Sequence, residues 1–195
     1  YYDHTNNSFF HNIKSLGAGK TLVYKNKNLI ENTYWNLIEQ PEDESNFEKK
    51  DSVEHLQHLI NESVRLRLRS DVPLGVNLSG GIDSASLAAT MESLLPSDQV
   101  LNAFTASYTE AKYDELQYAS DALKNTNVSL HTSRLSAKEV PELTKKCMWH
   151  QEGPFGGIST LSYFKLHELA KNTDVTVLLE GQGVDELFAG YSYFY

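Results

Sequence analysis

The stretch Val76-Asn77-Leu78-Ser79-Gly80-Gly81-Ile82-Asp83-Ser84 is the most informative part of this sequence. The apolar run Leu74 to Leu78 predicts a short buried strand, and Asp83 to Ala89 predicts the first turns of a helix. The Ser-Gly-Gly turn between them is typical of a phosphate-binding loop. Its two glycines let backbone N–H groups approach an anion, and the helix start adds unpaired donors and the positive end of the helix dipole.

The side chains of this turn support the same interpretation. Ser79 and Ser84 supply hydroxyl groups that can donate hydrogen bonds to phosphate oxygens. A carboxylate beside a phosphate repels it unless a cation lies between them, so Asp83 is predicted to hold Mg²⁺ against the phosphates. The alternative is a glycine-rich turn without a ligand, in which Asp83 caps the helix, as Asp commonly does.

A second stretch, Val175 to Phe188, repeats this design with a β-branched run, the turn Gly181-Gln182-Gly183 and an acidic helix start at Asp185. If the two strands are parallel neighbours, both acidic turns emerge at the same carboxyl edge of the sheet, where open α/β sheets bind ligands. We therefore expect Asp83 and Asp185 to share one Mg²⁺–polyphosphate.

Together these motifs resemble those of a known family. Ser79 to Ser84 resembles the pyrophosphate loop of the N-type ATP pyrophosphatases. With Ser70 to Leu78 before it and Gly181 to Tyr191 after it, the chain resembles the synthetase domain of the glutamine-dependent asparagine synthetases. The resemblance extends over nearly the whole chain and is strongest in these blocks.

The resemblance implies an α/β fold, an adenine-nucleotide-hydrolase-like doubly wound parallel sheet with helices on both faces and the strand order 3-2-1-4-5. The strand at Leu74 would lie beside the strand at Val175. Residues 1–46 are similar to the connector that follows the glutaminase domain in this family. Residues 47–195 are similar to its ATP-pyrophosphatase synthetase domain, truncated at the carboxyl end, and we expect the chain to be a piece of a longer protein.

The resemblance also implies a reaction, in which ATP activates a carboxylate as an acyl-adenylate, releasing pyrophosphate, and ammonia then forms an amide and AMP. The implied ATP-binding residues are Leu78, Ser79, Gly80, Gly81, Asp83, Ser84, Ala106, Glu180 and Gly181; the implied Mg²⁺ ligands are Asp83 and Asp185; and the implied catalytic residues are Asp83, Asp185 and Gln182. Gln182 stands where many asparagine synthetases have Glu.

The implied partners are a glutaminase domain of the same full-length chain, which supplies ammonia from glutamine, and a small-molecule carboxylate, with aspartate as the expected acceptor. A homodimer is compatible with the resemblance. Two alternatives stay open at this point. One is a related amidotransferase that acts on a sugar acid or a peptide carboxylate, and the other is an inactive nucleotide-binding module.

Composition excludes several classes of function. Hydrophobic residues make up 40% of the 195 residues and charged residues 22%, which predicts a globular domain of ordinary size. The net charge of −9, with no long basic run, argues against a nucleic-acid partner. The single cysteine, Cys147, excludes an internal disulfide and favours a reducing compartment, the cytoplasm. No apolar run reaches about 18 residues, so we expect no association with a membrane through a spanning helix.

Two other sequence patterns resemble binding motifs but are predicted to bind neither a nucleotide nor a metal ion. Gly17 to Thr21 ends like a Walker A loop, but Lys14 occupies the position of its first glycine and no strand precedes it. We expect a hairpin there instead, with a turn at Lys25 to Asn28. His55 and His58 lie one helical turn apart without an acidic third ligand, which argues against zinc.

Overall fold

A computed structural model describes residues 5–36 and 49–192, apart from the side chains of residues 49 and 50. The chain divides into two compact units, Tyr1–Glu48 and Lys49–Tyr195. The predicted domain boundary between residues 46 and 47 lies outside the described residues.

The smaller unit contains the predicted hairpin. Strands β1 (Lys20–Lys25) and β2 (Asn28–Thr33) pair antiparallel. The two residues between them, Asn26 and Lys27, have φ of 52° and 65°. Two consecutive residues with positive φ are typical of the turn that joins a tight hairpin, so the predicted turn is confirmed. Gly17 to Thr21 leads into a strand rather than a helix, which excludes a Walker A loop.

The larger unit alternates helices and strands. Its elements are α1 (Lys49–Arg67), β3 (Leu74–Asn77), α2 (Ile82–Leu94), β4 (Leu101–Ser107), α3 (Leu116–Ala122), β5 (Val128–Arg134), α4 (Val140–Gln151), α5 (Ser159–Asn172), β6 (Val177–Leu179) and α6 (Val184–Phe188). None of the helices in residues 5–36 and 49–192 is both long enough and apolar enough to cross a membrane.

The four strands of this unit form a parallel sheet in the order β5-β4-β3-β6. If the strands of this sheet are numbered from 1 in chain order, the order is 3-2-1-4. The predicted α/β class is confirmed. The predicted order 3-2-1-4-5 differs by one strand, because the described residues supply only four strands to this sheet. β3 pairs with β4 on one side, with Val76 opposite Ala103, and with β6 on the other, with Val76 opposite Leu179. The strands that carry the two acidic turns are therefore neighbours.

Helices cover both faces of the sheet. On one face, α1, α2 and α3 pack on the sheet through a buried cluster that includes Val64, Val76, Met91 and Ala119. On the other face, α5 packs on Phe104 of β4 through Leu166 and Ala170. Cys147 of α4 is fully buried, and burial raises the pKa of its thiol, as expected of a structural cysteine.

Gly75, in the middle of β3, allows the sheet to pack this closely. A Cβ built at this position would lie 2.9 Å from the Asn102 carbonyl oxygen, 2.9 Å from Phe104 Cε2 and 3.0 Å from Val175 Cγ1. We expect Gly75→Ala to lower the free energy of unfolding by about 1–3 kcal/mol, because the new methyl group overpacks the core. Urea unfolding monitored by circular dichroism measures this change.

The matched control is Gly156→Ala, since a Cβ at Gly156 has no heavy atom within 4 Å. Its free energy of unfolding should change by less than about 0.5 kcal/mol. Equal unfolding midpoints for the two variants would contradict the packing account.

Candidate functional site

A cleft of about 270 Å³ opens at the carboxyl edge of the sheet, between the turns that follow β3 and β6. Most of the residues predicted to bind ATP or Mg²⁺, or to act in catalysis, line it: Leu78, Ser79, Asp83, Ser84, Ala106, Glu180, Gly181, Gln182 and Asp185. Two residues of the prediction, Gly80 and Gly81, are not among the lining residues. The cleft therefore gathers the two acidic turns, which are distant in sequence.

The first turn is held together by its two serines. The Ser79 backbone N–H donates to Ser84 Oγ at 3.0 Å, the two hydroxyl oxygens lie 2.9 Å apart, and Ser84 Oγ in turn donates to the Ser79 carbonyl oxygen at 3.0 Å. Gly81 is the N-cap of α2 and no side chain caps the helix. Asp83 lies inside the first turn of the helix, so the alternative in which Asp83 is the cap is excluded.

Gly80 lies against α3 rather than in the cleft. Its backbone N–H donates to the Glu115 carboxylate at 3.1 Å. A Cβ built at Gly80 would lie only 2.8 Å from Tyr118 Cβ and 3.0 Å from Glu115 Cβ. Only glycine allows this close approach. The Glu115 carboxylate stabilises the loop, because it is a charged acceptor for the Gly80 N–H.

The second turn touches the first. A Cβ built at Gly181 would lie 3.3 Å from the Ser84 backbone nitrogen and 3.3 Å from the Asp83 carbonyl carbon. Gly183, with φ of 97°, is the N-cap of α6, and Asp185 follows in its first turn. Glu186 is not among the lining residues; its carboxylate accepts a hydrogen bond from the Tyr191 hydroxyl at 2.7 Å, which lowers its pKa.

The cleft also contains residues that the sequence analysis did not identify. They come from β3, from β4 and the segment that follows it, and from one face of α5: Asn77, Phe104, Thr105, Tyr108, Tyr113, Glu115, Ser162, Tyr163 and Leu166. The Tyr108 hydroxyl donates to Ser162 Oγ at 3.1 Å, which ties the segment after β4 to α5.

Tyr163 faces several acidic groups from its position on α5. Burial raises the pKa of its phenol, and the nearby Glu180, Tyr108 and Glu115 raise it further because they disfavour a second negative charge. Tyr163 therefore stays protonated around neutral pH and can donate a hydrogen bond to a ligand in the cleft.

The donor set fits Mg²⁺ only if a ligand completes it. In residues 5–36 and 49–192 no group of three or more His, Cys, Asp or Glu side chains is arranged to hold a metal ion. Asp83 and Asp185 nevertheless line the same cleft. Mg²⁺ in phosphate-transfer sites commonly takes one or two carboxylates and completes its shell with water and phosphate oxygens, so two carboxylates are a sufficient protein contribution.

Comparison with known proteins identifies sequences that are similar to this chain. Residues 55–195 match the model of the asparagine synthase family. A Methanocaldococcus jannaschii protein provisionally named glutamine-hydrolyzing asparagine synthetase 2 is 32% identical over 186 residues, which cover 94% of this chain and 35% of that protein. The glutamine-hydrolyzing asparagine synthetase 2 of Bacillus subtilis is 36% identical over 197 residues, which cover 95% of this chain and 26% of that protein.

A relative with a different name is also similar. The amidase chyE of Penicillium rubens is 27% identical over 204 residues, which cover 96% of this chain and 30% of that protein. The chain thus spans between 26% and 35% of the length of these three relatives.

The buried Ser84 hydroxyl is predicted to hold the first turn in shape. In Ser84→Ala the Ser79 N–H loses its acceptor, and we expect the free energy of unfolding to fall by about 1–3 kcal/mol. Hydrogen exchange at the Ser79 amide should accelerate in the same variant. Ser86→Ala, on an exposed position of the same helix, is the control. Unchanged exchange at Ser79 would show that the serine pair does not order the loop.

Proposed function

Because the chain belongs to the asparagine synthase family, we propose that it is the ATP-binding and carboxylate-activating part of an amide-forming ligase. The proposed acceptor is the side-chain carboxylate of aspartate. Ammonia comes from glutamine, through a glutaminase domain of the same full-length protein, and the products are asparagine, AMP and pyrophosphate. This proposal extends to the chain what the names of its two asparagine synthetase relatives say of those proteins.

One observation carries the proposal: the two acidic turns, each at the start of a helix, line one cleft together with Leu78 and Ala106. The apolar side chains suit a base, and the helix start suits phosphates. A cleft with both features accommodates a nucleotide better than it accommodates an inorganic anion alone.

In the activation step, an oxygen of the acceptor carboxylate attacks the α-phosphorus of ATP, and the bond to the bridging oxygen of the departing pyrophosphate breaks. The backbone N–H groups of the first turn of α2, from Ile82 to Ser84, have no acceptor within the helix and are suited to bind the pyrophosphate. Asp83 and Asp185 would hold Mg²⁺, which neutralises the charge of the leaving pyrophosphate when it is bound. The hydrogen bonds that Gly80 and Gly81 make to Glu115 and Ser79 keep the turn shaped for this role.

In the second step, ammonia attacks the acyl carbon, and the adenylate oxygen leaves with the electrons of the broken C–O bond. Gln182 lines the cleft and is the proposed polar group at this step. An amide does not take up a proton near neutral pH, so Gln182 acts by orienting the acceptor through hydrogen bonds. The proton leaves to water or to another base.

A second candidate function is amidation of a different carboxylate. It is favoured by the similarity to the Penicillium rubens protein named amidase, which covers as much of this chain as the asparagine synthetases do. The acceptor in that case would be another carboxylic acid, such as a sugar acid or a peptide carboxylate, and the ATP chemistry would be unchanged.

Removal of either acidic group should stop the reaction. We expect Asp83→Asn and Asp185→Asn each to lower kcat at least roughly 10²-fold, because charge neutralisation at a phosphoryl group contributes several kcal/mol. Because both act on one charge cluster, the double variant should lose little more than either single variant. Steady-state kinetics of the full-length protein measures this, with Asp98→Asn in an exposed loop as control. Losses that add in the double variant would contradict a shared site.

Acceptor and reaction type are tested together. With glutamine and aspartate present, phosphorus NMR of the full-length protein should show AMP and pyrophosphate as the products of ATP. Exchange of labelled pyrophosphate into ATP should depend on aspartate and not on glutamate, uronic acids or peptide acids. Release of ADP and orthophosphate would overturn the ligase proposal. Exchange with another acid but not with aspartate would favour the second candidate function.

A further inference from the structure

The second step of the proposed reaction releases a proton, and Gln182 cannot take it up. Once the nitrogen of ammonia has bonded to the acyl carbon, it carries a positive charge and must lose a proton to become an amide. An amide side chain does not accept a proton near neutral pH. A side chain placed to take the proton accelerates such a step by about 10²–10⁴. The other residues of the cleft are therefore the candidates for this base.

Carboxylates are the bases that the cleft offers. Among the described residues that line it none is His, Lys or Arg, and burial raises the pKa of Tyr163, so its phenol stays protonated near neutral pH. Four carboxylates remain, those of Asp83, Glu115, Glu180 and Asp185. Asp83 and Asp185 are the proposed Mg²⁺ ligands, and a carboxylate bound to a cation is a poor base. The choice is therefore between Glu115 and Glu180.

These two carboxylates differ in the groups that they and their neighbours touch. Glu115 accepts the Gly80 N–H at 3.1 Å, on the side of the loop that packs on α3. Glu180 is followed directly by Gly181, where a Cβ would lie 3.3 Å from the Ser84 backbone nitrogen at the start of α2. The start of α2 is the proposed phosphate site, and in the intermediate the acyl carbon is joined to the α-phosphorus through one oxygen. Glu180 therefore belongs to the segment that lies against the reacting groups.

One oxygen of the Glu180 carboxylate is held by the protein and the other can accept a proton. Asn77, which is 7% exposed, donates from Nδ2 to Glu180 Oε1 at 2.5 Å, so the carboxylate is fixed from its buried side. Within residues 5–36 and 49–192 no group donates a hydrogen bond to Oε2, and the side chain is 31% exposed. Oε2 can therefore take up a proton without breaking the bond from Asn77.

Glu180 also borders a second cavity. Among the described residues that line the cleft, it alone also lines a cavity of about 610 Å³ that is formed by α5, β6 and the segment between them. His167, another residue of this cavity, has a side chain that is 59% exposed, and its Nε2 lies 4.0 Å from Glu180 Oε1. A proton taken up in the cleft can therefore be released on the other side of Glu180, away from the nucleotide site.

We propose that Glu180 is the general base of amide formation. The lone pair of ammonia forms the C–N bond, and the electrons of the carbonyl double bond move to its oxygen. Glu180 Oε2 then takes one proton from the nitrogen, the carbonyl re-forms, and the C–O bond to AMP breaks with its electrons leaving on AMP. Glu180 becomes a carboxylate again by giving the proton to water in the second cavity. The proposal rests on the proposed function, because it assigns a residue to its second step.

The test measures the two steps separately in the full-length protein and in its Glu180→Gln variant. Exchange of labelled pyrophosphate into ATP, with the acceptor acid present, reports carboxylate activation and needs no ammonia, so the variant should retain it. Amide synthesis from ammonium chloride needs the base, and we expect it to fall about 10²-fold or more in the variant.

Hydroxylamine gives a readout that a purely structural role would not change. It is much less basic than ammonia, so the adduct that it forms at the acyl carbon loses its proton readily to water. Hydroxamate formation, measured by the colour of the iron(III) complex, should therefore fall much less in Glu180→Gln than amide synthesis from ammonia does.

Two matched variants complete the comparison. Glu142→Gln removes a carboxylate on α4 that is 82% exposed and does not line the cleft, and it should behave as the unchanged protein in all three assays. Glu115→Gln removes the other candidate carboxylate of the cleft, and any loss that it causes should be equal with ammonia and with hydroxylamine.

Undiminished amide synthesis from ammonia in Glu180→Gln overturns the base assignment. Equal losses with ammonia and hydroxylamine in that variant also overturn it, as does a loss of pyrophosphate exchange as large as the loss of amide synthesis. A loss confined to ammonia in Glu115→Gln, and absent from Glu180→Gln, transfers the role to Glu115. In each of these cases the unchanged protein still exchanges pyrophosphate, so the ligase proposal stands. No exchange by the unchanged protein with any acid overturns the proposed function itself.

Discussion

The parallel pairing of β3 with β6 is the constraint on which the cleft depends. Strand pairing in the same direction brings the ends of both strands, and so both acidic turns, to one edge of the sheet. Asn77 and Glu180 are 103 residues apart in sequence and yet are hydrogen-bonded. The Pro73 carbonyl oxygen, which accepts from the N–H groups of Thr176 and Val177, aligns the start of the two strands.

Glycines let the pieces of this edge approach each other closely. Gly75 admits the side chains of Phe104 and Val175, Gly80 admits α3, and Gly181 lies against the start of α2. A Cβ at Gly190 would lie 1.9 Å from Asp185 Oδ1, so the chain after α6 also packs directly on an acidic residue of the site. At each of these glycines a neighbouring side chain or backbone segment occupies the space that a Cβ would need, so the site has little tolerance for added side chains.

The sequence predicted the parts of this structure that are encoded locally. The strand–turn–helix of Val76 to Ser84 and its counterpart at Glu180 to Asp185 are contiguous, so their side chains could be assigned to one cleft once the strands were taken as neighbours. The strand order matched over four positions only. The strand β6 starts at Val177 rather than Val175, and the Val175 N–H donates to the Ala170 carbonyl oxygen near the end of α5 rather than to a neighbouring strand.

The remaining cleft residues could not be predicted in this way. Tyr163 and Ser162 reach the cleft because α5 packs on Phe104, and Glu115 reaches it because α3 packs on Gly80. These contacts depend on how helices pack on the sheet, and no local sequence motif predicts them. The roles of the assigned residues in ATP binding and catalysis stay predictions.

The charge of the cleft constrains what can bind there. Four carboxylates line it, those of Asp83, Glu115, Glu180 and Asp185, and among the described lining residues none is Lys or Arg. A polyanion brought alone into this environment would be repelled, because few protein charges offset it. Each carboxylate must therefore be neutralised by a cation or occupied by hydrogen-bond donors. Glu115 accepts a hydrogen bond from the N–H of Gly80 and Glu180 accepts one from the amide of Asn77. Asp83 and Asp185 remain as the pair that is proposed to hold Mg²⁺. The two carboxylates that accept hydrogen bonds from the protein lie at the edges of the site. Asp83 and Asp185, for which residues 5–36 and 49–192 provide no side-chain hydrogen bond, lie at the helix starts, where the phosphates are proposed to bind.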